Sequence, residues 1–109
     1  MNKKQQEQEQ KALKMLNECN NIMQAYKKGK SDLSELTEAV RTFMTLSMLS
    51  SALKDIGIKI GKKLKDNKPL DKLETVHVAM TKLGVCLMTN KGVLSNKIVN
   101  DILNERVII

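Results

Sequence analysis

The sequence predicts an all-α fold: an antiparallel bundle of four helices, or five, forming a single domain over residues 1–109. Three observations carry this. Apolar residues recur at steps of three and four along most of the chain, the spacing that lines one face of a helix. One Pro and five Gly are too few for the repeated turns of a sandwich or barrel. The length suits one modest core and not two. Phe43 and Tyr26 are the only aromatic residues, so that core must be built from Leu, Ile, Val and the seven Met. Met is unbranched and adaptable, and such a core fills readily while specifying one packing less sharply.

Residues 1–11 are polar and Gln-rich, an extension that either frays or carries the first helix into solvent. Ala12, Leu16, Cys19, Met23 and Tyr26 then form a seam of heptad type, flanked by Leu13, Met15 and Ile22. Fewer than three heptads favour packing on a second helix over a free-standing coiled coil. Lys27, Lys28 and Lys30 suit the negative end of a helix dipole, and Gly29 can take the left-handed cap.

Ser31 is the expected N-cap of the second helix, with Asp32 and Glu35 in its first turn. This segment is the centre of the chain. No residue from Thr42 to Leu53 is charged. Leu33, Leu36, Val40 and Phe43 make one stripe, and Leu49, Leu53, Ile56, Ile60 and Leu64 continue it. Met44, Met48 and Ala52 draw a second apolar line on another side, the expected oligomer seam together with Val107, Ile108 and Ile109. Val40, Phe43, Leu46, Leu49 and Leu53, with Val76, Met80, Leu83 and Leu87 further on, are the expected core. A helix unbroken to Leu64 would run roughly 50 Å. Gly57 and Gly61 each cost about 1 kcal/mol relative to Ala, so a kink or break is expected near Gly57. The two glycines, one turn apart, also suit a close crossing with another helix.

Asp66-Asn67-Lys68-Pro69 punctuates the chain, with Pro69 suited to open the third helix. Leu70, Leu73, Val76, Met80, Leu83 and Leu87 give its stripe, and Asn90-Lys91-Gly92 ends it. Ser95 caps a short last helix bearing Ile98, Val99, Ile102 and Leu103. The apolar Val107-Ile108-Ile109 is expected to tuck against this core or a partner subunit.

No catalytic, cofactor-binding or metal-ligating pattern emerges. His77 is the only histidine, and Cys19 and Cys86 lie far from it in sequence and from each other, whereas a metal site needs several convergent ligands. His77 and Cys86 would point about 180° apart on one helix. The cysteines read as buried thiols of a reducing compartment, with a disulfide between packed helices as the alternative. Gly57 to Lys63 lacks the spacing of a phosphate-binding loop. The first residues carry no apolar run, so no signal peptide is expected, and no stretch reaches the ~20 apolar residues of a membrane span. The cytosol is the expected compartment.

The formal net charge is +7, and of 19 Lys and Arg only Arg41 and Arg106 are Arg. Lysine supplies diffuse attraction to polyanions, whereas arginine makes the bidentate contacts that read bases. Lys59, Lys62, Lys63, Lys65 and Lys68 surround a single Asp66, the expected contact for a polyanion or acidic partner. In an antiparallel bundle they gather near Lys3 and Lys4, opposite Lys27, Lys28 and Lys30. In size, in Lys, Asn and Ile bias and in lacking catalytic groups, the chain resembles small regulators of phages and mobile elements, or inhibitors of a host system.

The expected function is that of a non-enzymatic, oligomeric interaction or regulatory protein that binds itself and a partner macromolecule. A basic regulator contacting the DNA or RNA backbone through its lysines is the alternative. Surface association with a membrane through the cationic amphipathic segment 52–64 is the third reading, and an enzyme stands last.

Overall fold

The computed structural model describes residues 3–104, and the expected seam residues Val107, Ile108 and Ile109 lie outside them. Five helices account for the secondary structure of the described residues: α1 (Lys3–Lys27), α2 (Leu33–Leu49), α3 (Ser51–Lys65), α4 (Lys72–Thr89) and α5 (Asn96–Asn104). The polar N-terminal extension thus belongs to α1. At 1.5 Å per residue its 25 residues reach roughly 37 Å, close to the 41 Å longest extent of the molecule.

α1, α2 and α4 pack on one another, α3 lies across all three, and α5 closes on α4. Leu16, Leu36, Val40, Phe43, Leu53, Met80, Leu83 and Val99 form the fully buried centre, and the heptad seam of α1 contributes Ala12, Cys19 and Met23. α2 and α4 run in opposite senses. Arg41 donates to the carbonyl of Gly92, just past the end of α4. Met44 packs against Gly84, and further on Leu53 in α3 reaches His77.

The helix ends follow local chemistry. Gly29 takes φ 73° after α1, and the Lys30 N–H donates back to the carbonyl of Ala25 at 2.8 Å, the six-residue closure of a Schellman turn. Asp32, rather than Ser31, caps α2 by accepting the Glu35 N–H at 2.8 Å, and Ser31 Oγ donates to the Glu35 carboxylate. Pro69 lies in the loop and does not open the next helix. Asp71 caps α4 in a reciprocal capping box with Glu74. Ser95 Oγ accepts from the Ile98 N–H, as a cap of α5 should.

The central segment does break, but at Ser50 and not near Gly57. Ser50 has φ −91° and ψ 116°, so it leaves the helix for one residue. Its N–H still donates to Leu46, closing α2, while its hydroxyl accepts from the Leu53 N–H and opens α3. A serine can serve both ends because its hydroxyl replaces a backbone partner. Gly57 sits inside α3 beside the His77 ring, 3.5 Å from where its Cβ would be. Gly61 has open space around it, so of the two glycines only Gly57 meets another helix.

The break resets the helical phase, and with it the core. Val40, Phe43, Leu53, Val76, Met80, Leu83 and Leu87 are buried as expected, whereas Leu46 and Leu49 are exposed, Leu49 to 77%. Leu49 and Leu53 share a face only on a continuous helix. With Ser50 extended between them, Leu53 turns inward and Leu49 is left in solvent.

Candidate interaction surfaces

Of the lysine cluster, Lys59, Lys62, Lys65 and Lys68 are exposed, and Lys63 is not free. Its ammonium donates to Glu74 Oε1 at 2.6 Å, with the Lys63 side chain 25% and the Glu74 side chain 6% exposed. The same oxygen accepts the backbone N–H of Asp71 at 3.0 Å. Burial pushes the Glu74 carboxyl up, but the Asp71 N–H, the Lys63 ammonium and the nearby charge of Lys59 together outweigh it and hold its pKa below the ordinary value. Lys63 therefore ties α3 to the start of α4.

The remaining lysines lie on the outer side of α3. Leu53 and Ile60 are buried, and Ala52 and Ile56 pack on the core from α3. Lys54, Ile58, Gly61, Lys62 and Lys65 fall on one line facing solvent. Lys59 turns instead toward the first turns of α1, lining a groove of about 490 Å³ with Gln5, Gln8, Ala52, Asp55 and Leu73.

A second surface lies between α2 and α4. Gly84 lets these helices approach so closely that the Met44 side chain occupies the space a Cβ would need. Met48 is one turn beyond Met44, Met88 one turn beyond Gly84, and the helices are oppositely directed, so the two methionines flank this contact along the seam. They are 72% and 70% exposed, and Val85 beside them is also exposed. Thr45, Thr81 and Thr89 border the line and turn their hydroxyls onto helix carbonyls of their own helices. Arg41, one turn before Met44 on α2, is tied to Glu38 and to the Gly92 carbonyl. The structure thus unites Met44 and Met48 with Met88 and Val85, and places Ala52 beyond the break, in the groove against α1. Met88 and Val85 belong to this surface and lie off the stripe of Val76, Met80, Leu83 and Leu87 that marks α4 in the sequence. Gly84 gave a signal, as a small residue inside an apolar helix, yet its partner lies forty residues upstream.

His77 joins three helices. Its Nε2–H donates to the Leu53 carbonyl at 3.2 Å, and its ring meets Phe43 edge-on at 5.2 Å and 87°. Burial lowers its pKa, against the smaller opposing effect of hydrogen bonding to backbone at Leu53 and at His77 itself, which favours the neutral ring in this position. Cys19 and Cys86 are free thiols and not a disulfide. Burial, with the Glu18 charge behind it, raises the Cys19 pKa to about 11, the direction of an inert thiol. Among the described residues no cluster of three or more His, Cys, Asp or Glu could hold a metal ion. No described helix is long and apolar enough to cross a membrane.

Fold and surfaces together define, over the described residues, a five-helix all-α arrangement with a methionine-lined seam between α2 and α4 and a lysine-bearing face on α3. No protein-family model, curated protein or solved structure matches the chain.

Proposed function

We propose that this chain is a non-enzymatic interaction protein that pairs with a second copy through the α2–α4 seam and acts by occupying the surface of a partner macromolecule. The single observation that carries the pairing is the exposed Met48, Met88 and Val85, apolar side chains flanking the half-buried Met44 in a chain of net charge +7. Two such chains repel over most of their surfaces. A seam without lysines among its apolar side chains lets them meet, and burying two methionines and a valine from each copy removes apolar surface from water. Methionine also suits a contact that must adapt to its own image across a two-fold axis.

Light scattering after size-exclusion chromatography at tens of micromolar tests the reading. The expected wild-type mass is twice that of one chain, and the double variant Met48→Glu, Met88→Glu should run as a folded monomer. A monomeric wild type, or a dimer indifferent to both glutamates, defeats it.

A further inference from the structure

We infer that the solvent face of α3 is a docking surface for the phosphate backbone of duplex nucleic acid, separate from the α2–α4 seam. Lys54, Lys62 and Lys65 lie on one line along this helix, all exposed and, among the described residues, none in an ion pair, whereas their neighbour Lys63 is held by Glu74. Eleven residues separate the first from the last, roughly 16 Å at 1.5 Å per residue. A strand of duplex DNA carries a charge about every 3.4 Å along the axis, so this row faces about five phosphates. Asp55, which also lines the groove against α1, and Asp66 at the end of the helix are the two acids within residues 54–66, at the edge of the row.

Gly61 lies in the middle of the same line with nothing within 4 Å of where its Cβ would be, and its φ is not in the left-handed region. Neither packing nor backbone conformation in the fold therefore requires glycine there, although glycine disfavours a helix interior. A bare helix surface between lysines lets a ligand approach the backbone of α3.

The fold discriminates among polyanions. A membrane-binding amphipathic helix must embed its apolar face in lipid, but Leu53 and Ile60 are buried in the protein. Ile58, 60% exposed, is the apolar residue left on the outer line. Lysine without arginine, and without an aromatic residue on α3 for base stacking, suits phosphate contact with no preference for sequence.

Fluorescence anisotropy with a labelled duplex, titrated across salt concentrations, tests the assignment. The wild type should bind random-sequence duplexes alike, and changing Lys54, Lys62 and Lys65 together to Gln should lower the slope of log K against log salt by roughly 2.7, about 0.9 for each lost phosphate contact. Changing Lys27, Lys28 and Lys30 to Gln should leave the slope as it was. Gly61→Gln, which adds bulk without charge at an open position, should keep the circular dichroism spectrum and weaken binding several-fold. A wild type that binds no duplex at low salt overturns the inference, as does an unchanged slope in the α3 variant. Binding to phosphatidylserine vesicles or polyglutamate in place of duplex overturns it equally.

Discussion

The sulfur of Met44 lies 2.6 Å from the point where a Cβ on residue 84 would stand. Only glycine admits it, so the spacing of α2 and α4 is fixed by the absence of a side chain on one helix and the length of one on the other.

This contact makes the effect of Gly84→Ala depend on residue 44. In the wild type the added methyl must displace Met44 at a cost of about 1–3 kcal/mol, against about 1 kcal/mol gained in helix propensity. In a Met44→Ala background the clash is gone and the same change should stabilise by about 1 kcal/mol. A double-mutant cycle by urea denaturation should therefore show a coupling above 1 kcal/mol, and additive effects would mean that the two helices are not in close contact there.

Leu49 and Leu83 fall on similar sequence stripes and differ wholly in burial. Leu83→Ala should cost about 2–5 kcal/mol as a cavity-forming change, while Leu49→Ala should stay within about 0.5 kcal/mol. Equal losses would place Leu49 in the core and the break away from Ser50. Ser50→Ala, which deletes the cap of α3, should cost about 0.5–2 kcal/mol.

The Lys63–Glu74 pair should set part of the acid limit of stability. The Glu74 pKa is lowered on folding, so its contribution is fully present above the unfolded value and is lost as pH falls through the folded one. Lys63→Met leaves the buried carboxylate with the Asp71 N–H and the charge of Lys59, which should raise the Glu74 pKa and move the acid-unfolding midpoint to higher pH. At neutral pH the same variant should lose about 1–3 kcal/mol, less than a fully buried pair because Lys63 keeps some solvent. An unchanged midpoint would show that the pair contributes nothing.

His77 acts in the same direction at higher pH. Its folded pKa is lowered, so as pH falls below the unfolded value the unfolded chain takes up a proton that the folded chain resists. Stability should decline as pH drops from about 7 toward the folded pKa, and His77→Gln should remove that part of the dependence. A proton-detected titration of His77 with a pKa above that of a model peptide would contradict the sign.

The helical class, the α1 seam, the helix ends away from Ser50 to within a few residues and the core positions of α4 were written in the local order of residues. Periodicity and capping act over three or four positions, and such information survives in one dimension. The lysine cluster was legible too, as composition.

What the sequence alone could not decide depended on partners distant along the chain. Glycine is the weaker helix former, so Gly57 looked like the breaking point, yet Ser50 breaks the helix because its hydroxyl can cap and Gly57 lies beside His77 from another helix. Ala52 seemed to extend the Met44–Met48 line until the break turned it away. Lys63 looked the equal of its neighbours, but the buried carboxylate of Glu74 holds it. The methionine seam exists only because α4 brings Met88 and Val85 beside α2 across the gap left by Gly84. Periodicity shows which side of a helix is apolar. Which neighbour covers that side, and which part of it stays wet, is set by the close packing of helices, and close packing is a property of the folded chain.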